Sequence, residues 1–192
     1  PVVYAVARDG QCTLDLQKSR VRLFWKDEEG APYAGFARLP REMEGGGLIF
    51  AMNAGMYRED RSPVGLYVED GRELRKANVA DGPGNFHMKP NGVFWVAGTT
   101  AGVTETRQFL SRGRKVDFAT QSGPMLVIGG KLHPRFREDG TSRKIRNGVG
   151  VRDARTAIFA ISNSPVTFTD FATLFRDVLE CDDALFLDGS VS

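Results

Sequence analysis

Short apolar runs rich in β-branched and aromatic residues, cut by polar turns that carry glycine, recur along most of the chain. Runs of this length and make-up predict strands. They fall at 2–7, 21–25, 48–52, 64–68, 73–76, 93–96, 104–110, 125–128, 131–133, 149–152, 156–162 and 184–187. Asp70-Gly71 and Gly129-Gly130 offer the positive φ that tight hairpins need, and Asp153-Ala154 divides a third strand pair. Residues 34–43 align Phe36, Leu39 and Met43 on one helical face, with Pro40 inside the segment. The clearest helix is 168–179, where Phe168, Phe171, Leu174, Phe175 and Val178 share a face. Thr167 with Asp170 marks its start, and Asp170 suits the positive end of the helix dipole.

The pattern repeats. Pro63 opens a strand, a glycine turn and a second strand up to Leu74; Pro124 opens the same sequence of elements up to Leu132. Each is followed by a polar loop and then Asn-Gly-Val, at Asn91-Gly92-Val93 and Asn147-Gly148-Val149, each behind a basic residue, Lys89 or Arg146. This reads as a diverged internal duplication, the alternative being a chance match between glycine-containing hairpins. With the helical segments it predicts one α+β domain over 1–192 built on repeated strand hairpins.

Composition narrows the class. An apolar fraction of 41 % and a charged fraction of 26 % are those of a globular chain, and 22 glycines fit many tight turns. A net charge of +2 with interleaved signs gives no nucleic-acid footprint, and no run is long enough to span a membrane. Cys12 and Cys181 are compatible with a disulfide in an exported protein and equally with two buried thiols. The chain starts at Pro1 and stops just behind a polar motif, so it reads as trimmed and the absence of a targeting segment carries no information.

Polar residues cluster where strands end: Asn53-Ala54-Gly55, Asn91-Gly92, Gln121-Ser122-Gly123-Pro124, Arg146-Asn147-Gly148 and Asp188-Gly189-Ser190. One such segment is a turn; five of the same character point to a shared site on a rigid sheet. Asp188 follows an apolar strand, so its carboxylate should stand at the lip of the core, suited to proton transfer, to a divalent cation, or to capping the next turn. Arg143, Lys144 and Arg146 form a basic cluster that fits a phosphate or carboxylate, or else a solvated loop. His87 lies near Lys89 and Asn91, whereas His133-Pro134 reads as loop; neither histidine has metal-ligand spacing. Phosphate loops, dinucleotide fingerprints, zincin helices and Gly-x-Ser-x-Gly elbows are absent.

From about Phe50 onward these segments resemble the phosphodiester glycosidase family. The resemblance is carried by Asn53-Ala54-Gly55-Met56-Tyr57, Ser122-Gly123-Pro124, Arg146-Asn147-Gly148-Val149-Gly150 and Phe186-Leu187-Asp188-Gly189-Ser190. Asn147 stands where the family has threonine, Phe186 replaces a leading asparagine, and Ser190 replaces a second glycine. The resemblance implies an α+β fold of curved, largely antiparallel sheets with packed helices and an internal pseudo-duplication, and it looks closest to a short bacterial branch that is typically exported, which implies a periplasmic or secreted protein with its signal peptide upstream. It further implies a hydrolase that cleaves the glycosidic bond of a sugar-1-phosphodiester. The alternative is non-catalytic binding of anionic glycan or cell-wall fragments on the same scaffold. Transferred to this chain, it implies Asp188, Arg146 and Asn53 as catalytic groups. Gly55, Lys89, Asn91, Gln121, Ser122, Gly123, Asn147, Gly189 and Ser190 would contact substrate. No cofactor is required by this reading, and a divalent cation is compatible with it.

Overall fold

The computed structural model describes residues 2–3, 11–33, 35–43, 46–48, 50–137 and 139–189. Among these residues two antiparallel sheets carry the architecture. The five-stranded sheet has the spatial order Arg72–Arg75, Tyr67–Glu69, Phe118–Ser122, Gly92–Ala97, Thr100–Glu105. The six-stranded sheet runs Lys131–Leu132, Met125–Ile128, Asp183–Phe186, Asn147–Asp153, Thr156–Ile161, Gln11–Asp15. Leaving aside the edge strand Gln11–Asp15, both sheets have the same connectivity: a hairpin, a second hairpin, a helix, and a last strand inserted between the two hairpins.

The duplication therefore extends to a whole five-strand-plus-helix unit. Smaller details repeat as well. Val68 pairs with Ala119 in one sheet and Val127 with Ala184 in the other. The second turn glycine of each first hairpin, Gly71 or Gly130, donates its N–H to the carbonyl of an aspartate, Asp117 or Asp182, at 2.8 Å in both.

Strand alternation gives each sheet two apolar faces, so the fold stacks as helix, sheet, sheet, helix. Cys12, Leu14, Phe94, Val103, Phe118, Val149, Phe159, Leu185 and Leu187 fill the space between the sheets. Phe94 and Phe159 meet edge to face there, 5.6 Å between centroids. Each such ring contributes about 1.5–3 kcal/mol by leaving water. The outer face of the five-stranded sheet buries Leu66, Val68, Val93 and Trp95 against Phe109 of the helix Thr106–Arg112. That of the six-stranded sheet buries Leu126, Ile158 and Phe186 against Phe171 and Phe175.

Several expectations are corrected. Segment 104–110 is not one strand: the ladder ends at Glu105, whose side chain accepts from the Gln108 N–H at 2.9 Å and starts the helix. Strands Gln11–Asp15 and Phe118–Ser122 were not anticipated, while 21–25 joins no ladder. Segment 34–43 forms only a 3₁₀ turn at Phe36–Arg38 before strand Glu42–Met43, because Pro40 cannot donate a helical hydrogen bond. Of 2–7 only Val2–Val3 is described, pairing with Met52–Asn53; residues 4–7 lie outside the described set, as does Ile49 within 48–52.

The helix after Thr167 starts as read. Thr167 Oγ1 accepts from the Asp170 N–H at 3.0 Å, and Asp170 Oδ2 accepts from the Thr167 N–H at 3.1 Å. After Phe168–Thr173 the chain adds a wider π turn, Leu174–Val178, which rotates the apolar face. Val178 is consequently 66 % exposed and Leu179 is buried in its place. Cys12 and Cys181 are separate buried thiols, pushed up by burial to about 11 and about 12. No described helix is long and apolar enough to cross a membrane.

Candidate functional site

Four stretches far apart in the chain meet where the strands of the six-stranded sheet end. The Leu187 N–H donates to the Asn147 carbonyl (3.0 Å), and the Asp188 N–H to the Ala54 carbonyl (2.9 Å). Asn147 Nδ2 donates to the Asn53 carbonyl at 2.9 Å. The Gly55 N–H donates to Thr120 Oγ1 at 3.2 Å. Two glycines make this convergence possible. A Cβ on Gly189 would stand 2.9 Å from both Arg146 Cα and Asn147 N. A Cβ on Gly55 would clash with Thr120 Oγ1 and lie 2.5 Å from the Gln121 carbonyl oxygen. The backbones touch, and a side chain at either position would push them apart.

Arg146 is the most unusual group in the site. It is 2 % exposed, and among the described residues no carboxylate lies within ion-pair distance. Its Nε donates to the Val166 carbonyl (3.0 Å) and Nη2 to the Ser142 carbonyl (2.9 Å). Its Cζ lies 3.6 Å over the Phe168 ring and 5.7 Å from that of Phe186. Burial lowers its pKa from the ordinary guanidinium value, yet a guanidinium stays charged at any physiological pH. Carbonyl dipoles and ring faces orient this charge without neutralising it. Nη1 has no protein acceptor among the described residues.

Phe186 shares the helix-facing side of its strand with this guanidinium, while Leu185 and Leu187 face the inter-sheet core. The half-buried Asp188 follows at the strand end, with Gly189 against Arg146. Carboxylate and guanidinium thus stand at one end of one sheet. Asn53, Asn147 and Ser122 are buried at the same end, and the Ser122 hydroxyl has no hydrogen-bond partner among the described residues.

The remaining sequence-predicted residues sit elsewhere or are occupied. Lys89 reaches out to Asp81 (2.6 Å) and the Val79 carbonyl (2.8 Å). Asn91 ties the strand start to the helix start, donating to the Phe86 carbonyl and accepting from Thr106 Oγ1, both at 2.8 Å. Gln121 accepts from the N–H groups of Leu66 and Asn78 and donates to the Asn78 carbonyl. Gly123 packs against Asn91 and the Phe86 carbonyl. His87 faces the Ala80 carbonyl at 3.1 Å. Ser190 lies outside the described residues. No three His, Cys, Asp or Glu side chains cluster as a metal-holding group among the described residues.

Sequence reasoning missed Thr120, the Ser142 and Val166 carbonyls, and above all Phe168. Its helical spacing marks Phe168 only as a core residue; that it also supports the guanidinium depends on where the helix N-terminus lies in space.

The fold and site together define a duplicated two-sheet α+β domain with a buried guanidinium at the strand ends of one half. Residues 46–192 match the phosphodiester glycosidase family, and the chain belongs to that family. It is 37 % identical over 181 residues to the uncharacterized protein YigE of Escherichia coli strain K12, covering 94 % of this chain and 71 % of that protein. Among solved structures it is similar to the catalytic domain of zebrafish N-acetylglucosamine-1-phosphodiester α-N-acetylglucosaminidase, auto-inhibited by its pro-peptide. The TM-score is 0.51 at 17 % identity, over 72 % of this chain and 50 % of that one. The chain thus spans about half the length of that neighbour, and the likeness is one of fold. A hypothetical protein from Synechocystis aligns over 72 % of this chain and 45 % of its own, with TM-score 0.43 and 13 % identity.

Proposed function

We propose that the domain hydrolyses the glycosidic bond of a sugar-1-phosphodiester, releasing the free sugar and a phosphomonoester. The observation that carries this reading is the buried Arg146 guanidinium, with no ion pair to a described carboxylate, at the same end of the sheet as Asp188-Gly189. Water attacks the anomeric carbon while the bond from that carbon to the phosphate oxygen breaks. The bonding electrons leave with the phosphate, so negative charge grows on the leaving oxygen, and Arg146 is oriented in advance to receive it. Asp188 takes the proton from the attacking water and passes it to solvent. A phosphate leaving group needs less acid assistance than a sugar hydroxyl, which suits a site with one carboxylate and one guanidinium. Asn53, Asn147 and Ser122 would orient sugar hydroxyls.

The test is kinetic. Sugar-1-phosphodiesters are turned over by the wild type, and Asp188→Asn and Arg146→Ala each lose at least about 100-fold. Equal background rates in all three proteins would sink the reading. A second reading, a non-hydrolytic binder of anionic glycans, is favoured by Phe186, which offers Arg146 a ring and no polar atom. Calorimetry separates the two, since a binder returns the phosphodiester intact.

A further inference from the structure

The only described support for the Arg146 charge besides two carbonyls is aromatic, and it continues beyond Phe168. The Phe168 ring lies parallel to Phe136, at 5.1 Å with 8° between planes. Phe136 in turn stacks on His133, at 4.8 Å and 29°. A column thus runs from the imidazole to the guanidinium. Its outer end is fixed by a tight turn: the His133 N–H donates to the Leu126 carbonyl (3.2 Å), and the Phe136 N–H to the His133 carbonyl (3.0 Å). The Arg135 N–H donates to His133 Nδ1 at 3.2 Å. That bond requires Nδ1 to be an acceptor, so the neutral ring carries its proton on Nε2. The ring is 1 % exposed, though the sequence marks it as loop.

We propose that His133 is a positioning residue for Arg146, acting through Phe136 and Phe168, and that protonating this imidazole releases the guanidinium from its fixed orientation. Protonation turns Nδ1 into a donor facing the Arg135 N–H donor, so the bond that closes the turn is replaced by a repulsive contact. Phe136, held within that turn, moves, and Phe168 loses the ring that supports its far face. Electrostatics between the two end groups is not required; the signal is carried by packing.

The charged surroundings of His133 agree. Burial is the main cause holding the imidazole pKa below its ordinary value, the Arg135 charge adds to this, and the Pro90 and Lys89 carbonyls work against it. The Lys89 ammonium itself is drawn away to Asp81. The ring is therefore neutral at neutral pH and charges only in acid. The ring stands between the two halves of the molecule: Lys89 and Pro90 lie just before the second hairpin of the first unit, and the column ends at Arg146, just before the second hairpin of the second.

The test follows the Arg146 side chain itself, by the NMR signal of its Nε–H and its protection from solvent exchange relative to a free guanidinium at the same pH. In the wild type, protection drops at least tenfold with the same midpoint as the His133 ring titration, while core amides such as Val149 stay protected. In His133→Phe, which keeps the ring stack, protection persists into acid. In Phe136→Leu, His133 still titrates and Arg146 no longer follows. Arg146 protection that ignores the His133 titration, or that follows it unchanged in Phe136→Leu, overturns the proposal; so does simultaneous loss of core protection, which would mean unfolding. The consequence for anion affinity rests on the phosphate reading of Arg146. Inorganic phosphate and glucose 1-phosphate should bind more weakly across the same midpoint. If the linkage holds and neither anion binds at any pH, the phosphate reading fails and the positioning role stands.

Discussion

The two repeated units share every strand connection, yet they treat equivalent positions in opposite ways. Gln121 and Phe186 each lie two residues beyond the alanine that pairs with the hairpin valine, and both face the helix side of their sheet. Gln121 spends its carboxamide on the backbones of Leu66 and Asn78. Phe186 offers a ring to Phe168 and Arg146. Before the next pair of strands, Asn91 and Arg146 occupy equivalent positions, their carbonyls accepting from the Thr106 and Ser162 N–H groups; Asn91 spends its side chain on Phe86 and Thr106, and nearby Lys89 turns outward to Asp81, whereas Arg146 turns inward to carbonyls and rings. The first unit has closed its polar strand ends with internal hydrogen bonds; the second has left a charge that no described carboxylate answers. Duplication supplied two similar rims, and among the described residues the second alone holds a buried guanidinium, which is why the proposed ligand site is placed there.

The strongest challenge to this contrast is a pair of substitutions. Arg146→Lys keeps the charge but loses the fork that reaches both carbonyls and the flat face that lies on Phe168. Turnover of a sugar-1-phosphodiester should fall at least about 100-fold, while Lys89→Ala should change it less than about twofold, as an exposed ion pair contributes little. Equal losses at both positions would mean that the two rims serve one site.

Next in size is the exchange of stability for function between the central strands. Gln121→Leu strands the N–H groups of Leu66 and Asn78, at a cost of ~3 kcal/mol, a fall of roughly 6–12 °C in melting temperature for a chain of this length. Phe186→Leu loses about 1 kcal/mol of packing but frees one side of Arg146, so its larger effect should be on KM. Melting curves and kinetics on both variants separate the roles. Gly189→Ala falls between them: the new methyl meets backbone at 2.9 Å, costing ~1–3 kcal/mol, with activity lost beyond what stability explains.

Much of this was legible in the chain. Asp70-Gly71 and Gly129-Gly130 announced their hairpins because positive φ has few chemical solutions, and Thr167 with Asp170 announced a helix start because an unpaired N–H must find an acceptor. The central strand Phe118–Ser122 was not legible: Phe-Ala-Thr-Gln-Ser is buried on both faces, so it has no apolar–polar alternation. Val178 misled because the π turn inserts an extra residue into a helical period. Strand-end residues pointed to Arg146, Asn147 and Asp188, whose local pattern coincides with their place in the site. The same pattern at Lys89, Asn91 and Gln121 marks residues whose polar atoms are used internally, a distinction made by partners 5–55 residues away in the chain.

The smallest expected effect sharpens the comparison one residue beyond the turn-capping aspartates. After Asp117 the first unit places Phe118, buried between the sheets; after Asp182 the second places Asp183, a carboxylate at the corresponding position. Burial raises the Asp183 pKa above the ordinary carboxylate value, with Asp182 adding to the effect and the Gly129 N–H, at 3.0 Å from Oδ1, opposing it. A carboxyl whose folded pKa is raised favours folding most below its unfolded pKa, and that contribution is lost as pH rises through the folded value. Wild-type stability should therefore carry a small penalty at neutral pH that fades on acidification. Asp183→Asn keeps an oxygen acceptor for Gly129 and carries no charge to desolvate. It should melt slightly above the wild type at pH 7, with the two curves converging as pH falls toward the ordinary carboxylate range. A variant less stable at pH 7, or a gap that widens in acid, would show that the charge at this position is favourable, and that the second unit keeps its carboxylate for stability where the first keeps a ring.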